Sequence, residues 1–468
     1  MHNYCANIAI PVDFCYFCYA NLNPAAMKKM CLSLMFVIAL VMTACKTGVH
    51  AGFVCVRDGA FHRNGKIYTY NGTNMWYAAI LGSRGQGGNR ERLCRELDTL
   101  QAHGIMNIRA LAGGSDGTKD RPSHTWPSLQ PEAGVYNDTI LEGLDFFVAE
   151  LEKRGMTCVL YLNNSWDWSG GFGTYLEWAG AGDAPDGSKD WDAFQKYHSD
   201  FTRNRRAMEL AANHTRFMVS RTNSITGKPY TESSAIMAWE ICNEPRPFTQ
   251  YSGVSDKEKL QVWDSFAKWI EAQAKLIKSI DRNHLVTTGS EGFYGCARDS
   301  GLLVRIHSFP EIDYCCIHCW PNNWGWCGPA IGETADCKAR NGVSAPQDML
   351  DNAIRRSEWY IDMNLRILSQ LGKPVVLEEY GYPRDNYEIR PGTPVTARKR
   401  YYDYIASRIG NSGTTKPKKP GLAAANFWGW GGEAVPVADR WHRWAPYTAD
   451  PAQEEQGLYS VFAIDRMN

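Results

Sequence analysis

Short apolar runs alternate with longer segments of helical period along most of the chain. The runs GIMNIRAL, MTCVLYLNN, AIMAWEICNE, HLVTTGSE, IDYCCIHCW, PVVLEEYG and AAANFWGW are near-continuous in Ala, Val, Ile, Leu and Cys. That is the pattern of strands buried on both faces in a parallel sheet. Helix-length segments fall at 89–103, 140–154, 191–221, 256–280, 347–371 and 396–409. A further strand is expected near residues 73–80, which makes eight. Ahead of it, FVCVRDGAFHRNGKIYTY alternates around Asp58-Gly59 and Asn64-Gly65 and reads as a β-hairpin. Strand and helix in alternation leave a doubly wound sheet or a closed barrel. No Gly-x-Gly-x-x-Gly follows the first strand, and there is no Gly-rich Lys-Ser/Thr loop. The nucleotide-binding sheet therefore loses its main support. Nearly every run ends in a polar residue at its C-terminal end, the face on which a barrel carries its site. The expected fold is a single α/β domain over 46–468, a (β/α)8 TIM barrel with an N-terminal β-hairpin, against which the tail GLYSVFAIDRM packs.

Composition narrows the partners. Fifty basic side chains balance 50 acidic ones among 468 residues, so there is no electrostatic footprint for nucleic acid. Seventeen Trp and 23 Tyr, many of the Trp in Gly/Asn-rich segments, suit the gripping of flat, uncharged rings. Residues 27–45 read as an export signal. Lys28 and Lys29 after Met27 precede the apolar run MCLSLMFVIALVMTA, which ends at Cys45. This segment resembles a bacterial lipoprotein signal, with Cys45 lipidated as the mature N-terminus and Met42 where Leu is usual. The expected location is the cell envelope or surface of a bacterium, with secretion as the alternative. The only membrane contact expected is that lipid, and a monomer is expected. Residues 1–26 have no such logic and read as an upstream extension.

The 15 Cys do not form an obvious framework. Cys158, Cys242, Cys315 and Cys316 sit in apolar runs as small hydrophobes, whereas Cys319, Cys327 and Cys337 share a loop region and could include a bridge. Cys315, Cys316 and Cys319 with His318 invite a zinc reading, but neighbours on a strand face opposite ways, so no metal is expected.

Two strand ends offer carboxylates: Glu244 in AWEICNEPRP and Glu378-Glu379 in PVVLEEYG. Such a residue at the mouth of a buried strand is costly unless it is paired or reactive. Two carboxyl groups converging from different strands are the minimum equipment for glycoside hydrolysis. Arg109, Asn163 and Asn164, Asn243, His318 and Trp428 end other strands on the same expected face. Strand parity allows only one of Glu378 and Glu379 to enter the barrel mouth, leaving the other a buried or helix-facing partner.

Taken together, NIRAL, Asn-Glu-Pro, IHCW, Glu-Tyr-Gly and NFWGW resemble, in order and at the matching strand ends, glycoside hydrolase family 5, a family of retaining (β/α)8 glycosidases. The likeness runs from about residue 53 to the end. NGTNMWY and LYLNNSWDWSGGFGTYLEW resemble its endo-β-1,4-mannanase branch more than cellulases. The resemblance implies Glu244 as acid/base and Glu379, directly before Tyr-Gly, as nucleophile, with Arg109 favouring ionised Glu379 and Asn243 bonding a sugar 2-hydroxyl. It also implies that His318 forms a neutral wall and that Trp428 stacks under the cleaved sugar. Trp320 stands where the family commonly has a Tyr that touches the nucleophile, which puts that contact in doubt. Trp76, Trp166, Trp168, Trp178, Trp324 and Trp326 are further platform candidates, about half of them core by weight of packing, and Glu240 and Arg246 read as structural. The function implied is retaining cleavage of internal bonds in mannan, glucomannan or galactomannan, without a cofactor. An endo-β-1,4-glucanase on the same scaffold and a non-catalytic glycan-binding lipoprotein are the alternatives.

Overall fold

The computed structural model describes residues 52–114, 124–328, 336–340, 346–410 and 421–465. The signal segment and Cys45 lie outside the described residues. Three short strands open the chain: β1 (Val54–Arg57), β2 (Ala60–Arg63) and β3 (Lys66–Ile67), paired antiparallel in that order. The expected hairpin is thus a three-stranded meander. Eight parallel strands follow: β4 (Tyr70–Asn74), β5 (Asn107–Leu111), β6 (Thr157–Tyr161), β7 (Ile236–Glu240), β8 (Leu285–Thr287), β9 (Cys315–Cys319), β10 (Val375–Tyr380) and β11 (Ala424–Phe427). Their order is β8-β7-β6-β5-β4-β11-β10-β9. The seam between β8 and β9 is joined by the Asp313 N–H on the Val286 carbonyl at 2.8 Å and the Thr287 hydroxyl on the Tyr314 carbonyl at 3.1 Å. The fold is a (β/α)8 barrel.

Val54 and Phe61 of the meander pack with Tyr70, Val159, Ala238, Tyr314, Cys316, Val376 and Ala424. Tyr70, Tyr314, Cys316, Val376 and Ala424 lie near the N-terminal ends of their strands, so the meander covers the bottom. A larger cluster joins the barrel's outer faces to the helices. The helices at 90–102, 138–154, 256–280, 346–368 and 396–406 fall where the periodicity places them. Asn89, Asn137 and Ser255 cap the first three through their side chains, and Gly155 ends the second with φ 65°.

Three expectations need correction. The first barrel strand is Tyr70–Asn74, not 73–80; Met75–Leu81 turns away into a short helix, Ala78–Leu81. The segment 191–221 is two helices, because Asn204 accepts from the Ala207 N–H as a fresh N-cap after a 3-10 turn. Helices Phe172–Trp178 and Ser300–Ser308 were not legible as separate elements. The tail does pack on the domain, through β12 (Trp430–Gly432) paired with β13 (Val461–Phe462), and Cys327 and Cys337 are bridged.

Asp145 ties the second of the capped helices to the segment ahead of β7. It is fully buried and accepts from Arg221 at 2.8 and 2.6 Å, the Tyr230 hydroxyl at 2.6 Å and the Ser224 N–H at 2.9 Å. Burial alone would push its carboxyl up, but these donors hold it below its ordinary range. Its stabilisation is therefore complete above the unfolded carboxylate pKa and is lost as pH falls through the lower folded value. Asp145→Ala should cost about 3 kcal/mol in urea unfolding, since it strands a half-buried Arg221. A loss below about 0.5 kcal/mol would show the tie to be unimportant.

Candidate active site

Arg109 stands in the middle of β5 rather than at its end, with no exposed surface. Its Nε and one Nη bond both oxygens of Glu240 at 2.7 and 2.6 Å. The other Nη donates to Glu379 Oε1 at 2.5 Å and Asn74 Oδ1 at 3.0 Å, and the last hydrogen goes to Asn243 Oδ1 at 2.7 Å. All five guanidinium hydrogens are thus placed. The guanidinium also lies 4.6 Å from the Tyr161 ring centre. Glu240 is structural, as expected from its position.

Backbone detail delivers the two carboxylates. The β10 register shifts between Leu377 and Glu379, and Glu379 pairs with His318 on β9. Of the two glutamates, only Glu379 lines the cleft, and Glu378 is the buried partner. Glu378 stays buried beneath the site, accepting from the Tyr314 hydroxyl at 2.9 Å, while Glu379 turns to the mouth. Burial and the neighbouring Glu240 push Glu378 up to about 8, so it is a neutral acid at pH 7. Glu244 lies four residues beyond β7 at φ 48°, left-handed for a non-glycine residue. Its N–H on the Gly289 carbonyl at 3.0 Å and the Ser165 hydroxyl on its own carbonyl hold that conformation. Position 289 must be glycine, since a Cβ there would sit 1.9 Å from the Cys242 carbonyl oxygen at φ +80°.

Glu244 accepts from the Trp166 indole at 2.5 Å, and its Oε1 lies 2.7 Å from His318 Nδ1. The same nitrogen is 3.4 Å from Glu379 Oε2. Burial, then the Arg109 charge, lower His318 to about 3, so the ring is neutral. Burial pushes both carboxyls up; Arg246 and Trp166 pull Glu244 back, and Arg109 pulls Glu379 back. The two form one coupled buried pair. With Arg109 bonded directly to Glu379, we place the negative charge there and the proton on Glu244.

A cleft of about 920 Å³ opens above them, lined by Asn243, Glu244, Glu379, Trp166, Trp320 and Trp428 among others. Trp320 donates its indole N–H to Glu379 Oε2 at 3.2 Å. The donor put in doubt by the missing Tyr is therefore supplied by a different ring. Trp428 meets Trp320 edge to face at 5.9 Å. Asn243 directs its amide N–H to Asn164 Oδ1 at 3.1 Å; with its oxygen on Arg109, one amide hydrogen is left for a ligand.

Two expected site residues are placed elsewhere. Trp76 is buried away from the cleft, donating to the Ala449 carbonyl at 2.7 Å and packing on Trp168 and Tyr447. Asn163 accepts from the Asn164 N–H and takes the Asn243 N–H on its own carbonyl, so its side chain only supports the turn; Asn164 is the one that orients Asn243. His318 touches the carboxylates but does not line the cleft. Trp178 packs on Tyr175, whereas Trp168 and Trp324 line the cleft and Trp326 lines a neighbouring cavity.

The sequence reading missed one pair and two walls. Glu291 pairs with Arg246, Oε1 at 2.6 Å, and both line the cleft; HLVTTGSE ends at Glu291, so the strand-end signal was present. Arg440, Pro451, Gln453 and Glu454, from the segment between β12 and β13, form one wall, and residues 184–188 with Trp191 another. Burial, Asp450 and Glu244 push Glu454 up to about 8. Among the described residues, Glu244, His318 and Glu379 bring ligand-type atoms within 4.8 Å of one another. The Arg109 charge already bonded to Glu379 opposes a metal cation at that point.

Two buried carboxylates at the mouth of a (β/α)8 barrel, one on an arginine and both under a rim of indoles, define a glycoside hydrolase. Residues 51–468 match the family described as GH family 5 beta-mannosidase-like, and the chain belongs to it. It is similar to the tomato Solanum lycopersicum mannan endo-1,4-beta-mannosidase 5, 28% identical over 75% of this chain and 78% of that one. Mannan endo-1,4-beta-mannosidase 7 of Arabidopsis thaliana is 26% identical over 86% and 84%. Among solved structures, a family 5 mannosidase from Rhizomucor miehei superposes with a TM-score of 0.74 at 29% identity, covering 89% of this chain and 95% of that one.

The Asn164 amide holds Asn243, and it also accepts from the Trp166 N–H at 3.1 Å and donates to the Ser169 hydroxyl at 2.8 Å. Asn164→Ala should leave the fold intact and lower kcat/KM for glycoside hydrolysis roughly tenfold, the worth of one neutral hydrogen bond. Wild-type kcat/KM in the variant would show that Arg109 alone holds Asn243.

Proposed function

We propose that this enzyme hydrolyses β-mannosidic bonds of mannan-type saccharides with retention of configuration. The carrying observation is the distance: oxygens of Glu244 and Glu379 lie within 4.8 Å. Inverting enzymes separate the carboxyls by roughly 6.5 Å or more to admit a water, whereas retaining ones hold them about 5 Å apart. Glu379, ionised beside Arg109, attacks the anomeric carbon. Glu244, kept protonated by burial, gives its proton to the leaving glycosidic oxygen. Glu244 then takes a proton from water, which displaces Glu379 in a second inversion. The remaining Asn243 N–H suits the 2-hydroxyl of the cleaved sugar, where charge develops, and Trp428 suits its face.

The names of the plant relatives, mannan endo-1,4-beta-mannosidases, support mannan cleavage at internal bonds. The wall carrying Arg440, Gln453 and Glu454, together with the likeness to a mannosidase, supports a second reading, release of single sugars from chain ends. Digestion of mannohexaose and cellohexaose side by side separates these. Mannobiose and mannotriose appearing first mean internal cleavage; mannose appearing first means the chain end. Products from cellohexaose alone, or from neither, would sink the mannoside reading. Glu244→Ala should lower turnover by roughly 10²–10⁴-fold, and Glu379→Ala by at least as much; wild-type turnover in both would reject the two roles.

Trp166→Phe removes a donor that favours ionised Glu244. Glu244 should then lose its proton at higher pH, and the alkaline limb of the activity profile should move up. An alkaline limb that stays in place would exclude Glu244 as the acid that sets it.

A further inference from the structure

A second cavity, of about 520 Å³, adjoins the catalytic cleft and shares Arg246, Asn323 and Trp324 with it. Its remaining walls carry Arg298, Arg356, Tyr294 and Trp326. Among the described residues it has one carboxylate, Asp336, which accepts from the Ala339 N–H at 3.0 Å as the cap of a short helix. Arg246 is already matched by Glu291. Arg356 is buried, with its guanidinium 5.5 Å from the Trp326 ring centre. Arg298 differs from both: it is exposed, lies 4.9 Å over the Tyr294 ring, and makes no ion pair among the described residues.

The backbone presents Arg298 at a cost. Ala297 and Arg298 are consecutive left-handed residues, φ 53° and 62°, held by the Arg298 N–H on the Phe293 carbonyl at 2.9 Å and the Asp299 N–H on the Cys296 carbonyl at 2.9 Å. Two such non-glycine residues in a row are uncommon, and strain of this kind collects at ligand sites. The bay also lies on a definite side of the chemistry. Arg246, two residues beyond Glu244, lines both cavities, and its charge bears on Glu244. If Glu244 is the acid, as read above, what lies beyond it receives the leaving group.

Indole and phenol rings take the face of a sugar, and a guanidinium takes a carboxylate or a sulfate. We propose that this bay binds an acidic sugar unit on the leaving-group side, so that β-mannosides of acidic saccharides are preferred over neutral ones.

The test rests on the mannoside reading and separates its failure from that one. The full-length enzyme is assayed on three disaccharides: mannosyl-β-1,4-glucose, its 6-sulfate on the glucose, and mannosyl-β-1,4-glucuronate. At low salt, kcat/KM for at least one acidic compound should exceed that for the neutral one by about tenfold, as expected of a charge-assisted contact. Which acidic compound leads identifies carboxylate or sulfate as the group taken. In Arg298→Asn, a residue that tolerates the left-handed backbone, the acidic-to-neutral ratio should fall to about one. Equal rates on all three compounds in the wild type would overturn the proposal while leaving the mannoside reading intact. So would an acidic preference that survives in the variant. Failure to cleave any of the three while mannohexaose is cleaved would overturn this proposal and leave the mannoside reading intact; failure on mannohexaose as well would overturn both.

Discussion

A buried guanidinium with every hydrogen engaged is the constraint from which the site is built. Removing a charge of that size from water costs several kcal/mol even after relaxation, and Arg109 recovers it through Glu240, Glu379, Asn74 and Asn243. Those partners come from β4, β10 and the segments that end β7, so one side chain fixes the mutual distances of groups spread over the barrel mouth. Two carboxylates sit on one cation, an excess of negative charge that a third ionised group would worsen. Glu378, close below, is accordingly neutral, pushed up to about 8 by burial and by Glu240.

The reactive geometry depends on two departures from regular backbone. A register shift in β10 lets consecutive glutamates serve different ends, Glu378 inside the barrel and Glu379 at its mouth. A left-handed Glu244, tied to Gly289 and Ser165, aims the other carboxylate at His318 and Trp166. Such conformations persist only where the surroundings over-determine them. Here the close approach at Gly289 and the turn through Asn163 and Asn164 supply that support.

The asymmetry between the two carboxylates comes from their neighbours. Both are buried, so both are pushed toward the neutral acid. Only Glu379 touches a guanidinium; Glu244 meets a neutral imidazole and an indole N–H. A charge on one and a proton on the other is the state that double displacement needs at its start. The walls that rise around this pair come from the segment between β12 and β13 and from residues 184–191.

The barrel was legible from the chain because parallel strands buried on both faces leave continuous apolar runs, and helices leave a 3.6-residue period. The strand-end carboxylates, Asn243, His318 and Trp428 were legible for the same reason, since the end of each run marks the mouth of the barrel; Arg109 instead falls in the middle of β5. Several decisions lay outside any local pattern. Trp76 and Trp166 are both Trp in loop-like sequence, yet one packs under Ala449 and the other donates to Glu244. Asn163 and Asn164 are identical neighbours, and only the side chain of the second reaches the Asn243 amide. The β10 shift, the Trp320 donor replacing a Tyr, and the Glu291–Arg246 pair all depend on which distant backbone lies alongside. Sequence period fixes where a residue falls along a strand or helix; which atom it meets is set by contacts between residues tens to hundreds of positions apart, and those exist only once the barrel has closed.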